Sequence, residues 1–252
     1  MTRTPDDLTG VHFYHCIDLG GGRVTDGDFD LRDHVGRYGL PHDLAGRRAL
    51  DVGCSSGFWS FEMERRGAAV VSIDVAASGQ DIWEVVQGEA AATMTSSALG
   101  VPGAAGPARS PYALAHRALG SRAEFRELSV YDLGPEKTGT FDLVFCGSLL
   151  MHLTDPFRAL ERIASVARGL VVVSCTYIET QDPAPMAAFK LNPRSFWTPN
   201  PACLQAMMRE AGLAGVREEA RLDLRHRRLG LDVPHLVVHG YGRAGAAPGD
   251  AR

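Results

Sequence analysis

The chain has 252 residues, 45% of them hydrophobic and 22% charged, enough to bury one large core or one core with additions. Lys and Arg total 26 against 30 Asp and Glu, a formal net charge of −4, which argues against a dedicated nucleic-acid binder with a strongly basic face. No window approaches the ~20 apolar residues of a membrane span, and the first ten residues, MTRTPDDLTG, carry no apolar signal core.

Residues 1–10 and 243–252 read as frayed ends, 11–46 as an N-terminal cap region with aromatic–histidine clusters, and 47–242 as the main domain. In the main domain short apolar runs alternate with amphipathic stretches, the pattern of βαβ units around a mostly parallel sheet. Strands are expected at 47–52, 68–75, 123–130, 141–146, 169–175, 216–223 and 234–242. A helix over 58–66 is followed by Gly67, a suitable residue past a helix end. A second helix begins at Thr154 or Asp155 with Pro156 in its first turn, and Phe157, Leu160, Ile163, Ala164 and Ala167 share one face. A third begins at Asn200-Pro201 and turns Leu204, Met207, Met208 and Ala211 to the core. The stretch 84–110 is too long for an ordinary connection and reads as an insertion, either a lid or a linker. Five cysteines, an odd number with no CxxC pair, fit reduced, buried thiols and a cytoplasmic location.

The most informative segment is ALDVGCSSGFWSFEMERRGAAVVSIDV, residues 49–75: strand, glycine turn, helix, strand, acid. Gly53 and Gly57 let the backbone turn sharply after Asp51. Asp74, at the end of the second strand, stands where a carboxylate accepts both hydroxyls of a ribose. A dinucleotide needs G-x-G-x-x-G, because a pyrophosphate must pack against the turn and helix start. Here Ser55 and Phe58 occupy the second and third glycine positions, and Trp59 follows. S-adenosylmethionine carries no phosphate, so the looser turn suits it better. The plainer alternative is a βα turn without a ligand.

DVGCSSG followed by an acid after the second strand resembles the class I S-adenosylmethionine-dependent methyltransferases. That resemblance implies an α/β, doubly wound Rossmann-like sheet of seven strands, order 3-2-1-4-5-7-6, with the last strand antiparallel and an N-terminal cap. It implies cofactor contacts from Asp51, Gly53, Ser55, Gly57, Trp59, Asp74 and Val75. In SVYDL it places Asp132 on the adenine amino group with Tyr131 and Leu133 beside the ring, and it puts backbone of Cys146, Gly147 and Ser148 at the methionine amino group. The stretches 12–35, 149–163 and 196–213 look like the branch containing the tRNA wobble-uridine carboxymethyltransferases and their bacterial relatives. The longer N-terminal extension of the tRNA enzymes is missing, and Arg194 is only a nearby candidate for their carboxylate-binding arginine. Plain methyl transfer is therefore the safer expectation.

His152, after the fourth strand, is the leading general-base candidate, because histidine titrates near neutral pH. His15 and Glu179 are further candidates for proton transfer, and His12, Tyr14, Tyr177, Phe196 and Trp197 for the substrate pocket. For each, a structural role in packing or on the surface is the competing reading. His12-x-x-His15 and His235-x-x-x-His239 have ligand-like spacing without a Cys or carboxylate partner nearby, so no metal is expected. Arg221, Arg225, Arg227 and Arg228, with His226, read as a solvated hairpin rather than an RNA contact. The expected activity is methyl transfer to a small molecule, a hydroxyl oxygen before nitrogen or carbon. The alternatives are wobble-uridine modification and a non-catalytic cofactor-binding scaffold. Neither a nucleic acid nor a membrane is the expected partner, and a homodimer stays open.

Overall fold

The computed structural model describes residues 8, 10–75, 110–190 and 195–242. Most of the expected insertion, Arg194 and the expected tail lie outside the described residues. The strands are β1 (Phe13–His15), β2 (Gly27–Phe29), β3 (Arg48–Val52), β4 (Ala69–Asp74), β5 (Glu124–Glu127), β6 (Phe141–Gly147), β7 (Ala167–Thr176), β8 (Ala187–Phe189), β9 (Trp197–Pro199), β10 (Ala214–His226) and β11 (Leu231–Tyr241). The helices are α1 (Phe58–Arg65), α2 (Pro111–Leu119), α3 (Pro135–Thr138), α4 (Pro156–Val166) and α5 (Pro201–Glu210).

Nine strands form one sheet in the order β1-β2-β10-β11-β7-β6-β3-β4-β5. Its seven principal strands follow the expected 3-2-1-4-5-7-6 order, and β11 runs antiparallel to both β7 and β10. The strand count is the correction. β1 and β2, expected in a separate cap, join the sheet beside β10, through His226 opposite Phe29, and β8 pairs with β9 in a small second sheet. Three-residue strands flanked by glycine and charge carry too little periodicity to be read from sequence.

The central strands are hydrophobic on both faces because helices and the cap cover both sides. Leu50, Val144, Val171, Val172 and Val173 are fully buried. The helix starts follow the local chemistry. Asp155 caps α4 by accepting from Arg158 N–H at 3.0 Å, with Pro156 in the first turn. The buried face of α4 is Ala159, Leu160, Ile163 and Val166; Phe157 is half exposed and Ala167 already opens β7, so the expected stripe is shifted. On α5, Leu204 and Met208 are buried as expected, with Met207 and Ala211 packed at the margin of the core. Cys16, Cys54, Cys146 and Cys175 are buried and Cys203 half-buried, all as free thiols.

The arginine run is the expected exposed hairpin, at the end of β10 and in the turn that joins it to β11, and its charges are paired. Arg221 and Arg225 lie within β10, and their neighbours stitch the cap to the sheet: Arg227 reaches Asp26 and Gly27 O, and Arg228 reaches Asp28. Acidic residues 200 positions upstream supply the counter-charges, which sequence proximity conceals.

Asn200 ties α5 to the loop after β7. Its Oδ1 accepts from Cys203 N–H at 2.8 Å and Met186 N–H at 3.2 Å, and its Nδ2 donates to Thr180 Oγ1 at 2.9 Å and Ala184 O at 2.8 Å. Asn200→Ala leaves these buried groups unpaired and is expected to cost about 2–3 kcal/mol, read as a lower urea midpoint at unchanged m value.

Candidate active site

The order β4-β3-β6-β7 places the topological switch between β3 and β6, where the loops leave in opposite directions and open a crevice beyond the strand ends. The two non-glycine residues with positive φ among the described residues sit on either side of it: Ser55 (49°) after β3 and Ser148 (52°) after β6. Such backbone costs on the order of 1–3 kcal/mol and persists where surroundings dictate it. For Ser55 the dictating group is Asp74, whose Oδ2 accepts from Ser55 N–H at 2.8 Å while its Oδ1 accepts from Val75 N–H at 2.8 Å. Gly53 and Cys54 direct their N–H groups to Ile73 O. The glycine turn is thus folded over the end of β4.

Gly53 adopts φ of 73°, and a Cβ there would come within 3.2 Å of Leu149. Gly57 adopts 91°, and a Cβ there would meet the Phe61 ring at 2.5 Å. Above the turn lies a small cleft, open at its mouth. Val52, Gly53, Asp74 and Val75 form one side; Ser129, Val130 and Tyr131 form another; Leu149, Leu153 and Thr154 close it. None of the lining residues is basic, and the first N–H groups of the turn are already committed. This donor set suits an uncharged purine and a ribose held by Asp74 better than a pyrophosphate, since the N–H groups of Gly53, Cys54 and Ser55 are already engaged.

Not every expected contact reaches the cleft. Trp59 is a core residue, stacked on Phe145 at 4.3 Å and tilted against Tyr38 at the same distance, because its position in the first turn of α1 faces the sheet. Leu133 is fully buried in the core, as is the side chain of Cys146, whose expected contact runs through its backbone. Asp132 is exposed on the turn Val130–Asp132, with Lys137 at 3.8 Å, while Tyr131 lines the cleft and accepts from Asp155 N–H at 3.0 Å. Asp51 lies beneath the turn and accepts from Ser60 Oγ at 2.6 Å; Ser60 accepts from Ser72, and Ser72 from Tyr112. Burial pushes the Asp51 carboxyl up to about 7, with the Asp74 charge adding to the shift and the Ser60 hydrogen bond opposing it. Sequence reading missed Leu149, Leu153 and Thr154 as cleft walls, although two leucines four apart directly after a strand end were a usable signal.

The remaining candidates lie in the cap, in the turn after β6 and beyond β7. Tyr14 N–H donates to Ser56 Oγ at 2.9 Å, which fastens β1 over the glycine turn. His15 lies 5.4 Å from the Phe58 ring, and burial pulls its pKa down to about 3. His12 is held away by Asp28 at 2.9 Å. His152 ends the 3-10 turn Leu150–His152, against which β9 packs, and Phe196 N–H donates to Met151 O at 2.8 Å. Trp197, tilted against Phe189 at 4.7 Å, also belongs to this ribbon. Tyr177 lies under the Arg221 guanidinium, 5.4 Å from its ring centre. Glu179 does not join the site: it is exposed and paired with Arg221 at 2.5 Å, so its carboxylate is already engaged. His235 and His239 face one way, as strand spacing demands, but beneath the cap: His235 bonds Ser148 and His239 bonds Tyr38 O.

The Methyltransferase domain family matches residues 30–218. The ubiquinone biosynthesis O-methyltransferase of Xanthomonas oryzae pv. oryzae is 34% identical over 126 residues, which is 50% of this chain and 41% of that protein. The chain thus matches about two fifths of the length of that relative. Among solved structures, Burkholderia thailandensis 1,6-didemethyltoxoflavin-N1-methyltransferase, with bound S-adenosylhomocysteine, aligns with TM-score 0.50 at 15% identity, covering 84% of this chain and 75% of that one. Haemonchus contortus phosphoethanolamine N-methyltransferase 2, in complex with S-adenosyl-L-methionine, aligns with TM-score 0.51 at 11% identity, covering 82% and 51%. These two likenesses carry the fold.

The raised Asp51 pKa has a defined consequence. The folded state holds this proton between the ordinary carboxylate value of 3.8 and about 7, where the unfolded chain has released it. Stability is therefore expected to fall as pH rises across that window, by on the order of a few kcal/mol, and to level off above it. Asp51→Asn should remove this slope, as read by denaturation midpoints between pH 4 and 8.

Proposed function

The chain belongs to the Methyltransferase domain family, and from that premise we propose that it moves the methyl group of S-adenosylmethionine to a small-molecule acceptor, with a hydroxyl oxygen ahead of nitrogen or carbon and a specialised metabolite as the acceptor class. The observation that carries this reading is the apolar, cation-free cleft at the switch point that ends on Asp74. Asp74 would take the ribose hydroxyls. Val75, Ser129, Val130 and Tyr131 would enclose the adenine, and backbone from Cys146 to Ser148 would meet the methionine amino group. The bound sulfonium supplies an already activated methyl group.

The protein's task is then alignment, dehydration and handling of one proton. Fixing two reactants in line is worth ~7–11 kcal/mol of barrier in favourable cases. The cap, pinned by Tyr14 to Ser56, would exclude water over the glycine turn. His152, with Phe196 and Trp197 from the neighbouring ribbon, would orient the acceptor. Modification of a tRNA uridine is less favoured, because the arginines that could grip RNA are engaged by Glu218, Glu179, Asp232, Asp26 and Asp28. A non-catalytic scaffold predicts cofactor binding without turnover.

Titration calorimetry tests the cofactor directly. Asp74→Ala is expected to weaken S-adenosylmethionine binding at least fivefold, about 1 kcal/mol, and wild-type protein that is folded yet does not bind ends the proposal. With an acceptor in hand, His152→Ala should lower turnover while leaving cofactor affinity within twofold; wild-type turnover would remove His152 from the acceptor site.

A further inference from the structure

Ser148 and His235 form a polar pair that the cofactor contacts leave unused. Ser148 Oγ and His235 Nε2 are 3.1 Å apart. The other ring nitrogen, Nδ1, faces Val233 O at 3.0 Å, and a carbonyl only accepts, so Nδ1 carries the hydrogen. Nε2 is therefore a lone-pair acceptor, and the Ser148 hydroxyl donates to it. His235 is buried on β11 opposite Thr176, the last residue of β7, while Ser148 is partly accessible and held at positive φ just past β6. The pair thus spans the carboxyl ends of the strands next to the switch point.

Two further features make this a place for a ligand. His15 Nδ1 is buried and has no hydrogen-bond partner among the described residues; burial lowers its pKa, and the neighbouring His235 adds to the shift. A buried polar nitrogen without a partner is uncommon and invites one. The walls around the histidines are aromatic: Phe58 at 5.4 Å from His15, Tyr14 edge-on to His15 at 4.6 Å, and Phe29 edge-on to His235 at 6.5 Å. Flat apolar walls with neutral acceptors recognise a ring that bears a hydroxyl.

We propose that Ser148 and His235 are the anchor and proton-accepting pair for an aromatic hydroxyl acceptor, a phenol or enol. This rests on the methyl-transfer reading above and moves the proton from His152, which keeps an orienting role. As the acceptor oxygen forms its bond to the methyl carbon, the carbon–sulfur bond breaks and its electron pair stays on sulfur. The acceptor's proton passes to Ser148 Oγ, and the Ser148 proton passes to His235 Nε2. Burial lowers the proton affinity of His235, which keeps it neutral and ready. A weak base suffices here, because a hydroxyl becomes strongly acidic while its oxygen is being alkylated. His15 feels the charge of His235, and His226 lies on the Phe29 ring that also meets His235.

The test uses the full chain labelled with 15N-histidine and loaded with S-adenosylhomocysteine. Phenol is titrated in and anisole, its methyl ether without a donor, serves as control; His235→Gln assigns the resonance. Phenol should move the His235 Nε2 signal with saturation, anisole should not, and Ser148→Ala should abolish the response. Ser148→Gly, which accepts the positive φ without strain, should abolish it equally if the hydroxyl matters. An unmoved His235 signal, an equal response to anisole, or a response that survives in both Ser148 variants overturns the proposal. Calorimetry with S-adenosylmethionine on the same preparation separates the two levels. Cofactor binding with an unmoved His235 sinks the pair alone, whereas loss of cofactor binding by folded protein sinks the reading beneath it as well.

Discussion

The grip of the Asp74 carboxylate on Ser55 N–H and Val75 N–H is the interaction on which the site depends. It folds the glycine turn over the end of β4 and holds Ser55 in a left-handed conformation that an L-residue otherwise avoids. The same carboxylate opens onto the cleft, so one group both builds the turn and offers itself to a sugar. A turn fixed from below in this way needs no anion to hold it open, and its N–H groups point into the protein. That separates it from turns that cradle phosphates.

Desolvation sets the electrostatics around this turn. Asp51, sealed beneath it and bonded to a file of buried hydroxyls, holds its proton far above the ordinary carboxylate range. In the cap and on β11 the same cause acts on bases, and burial keeps His15 and His235 neutral. The exposed arginines are instead distributed over carboxylates of the cap and β10, which turns a basic run into stitching between the sheet and β2. The cap is thus continuous with the sheet, and the pin from Tyr14 to Ser56 links it to the cofactor turn.

How much was legible in the sequence depended on how local the cause was. The starts of α4 and α5 were readable because Asp155 and Asn200 cap helices through residues three positions on. The order of the principal strands followed the family resemblance. Trp59 was misjudged because spacing alone does not say which side of a helix meets a sheet, and Phe145 decided it. Glu179 was misjudged because its partner Arg221 lies 42 positions away. His235 was read only as half of a ligand-like pair, since its contact with Ser148 crosses 87 positions.

By itself the sequence determined the alternation of strands and helices, the bend at Gly53 and the acid at Asp74, because each rests on backbone propensity and short-range periodicity. Only the tertiary structure decided which residues face the cleft, which charges are neutralised and which histidines stay uncharged. Those properties come from burial and from partners brought together by strand order, and neither is a property of neighbouring residues in the chain.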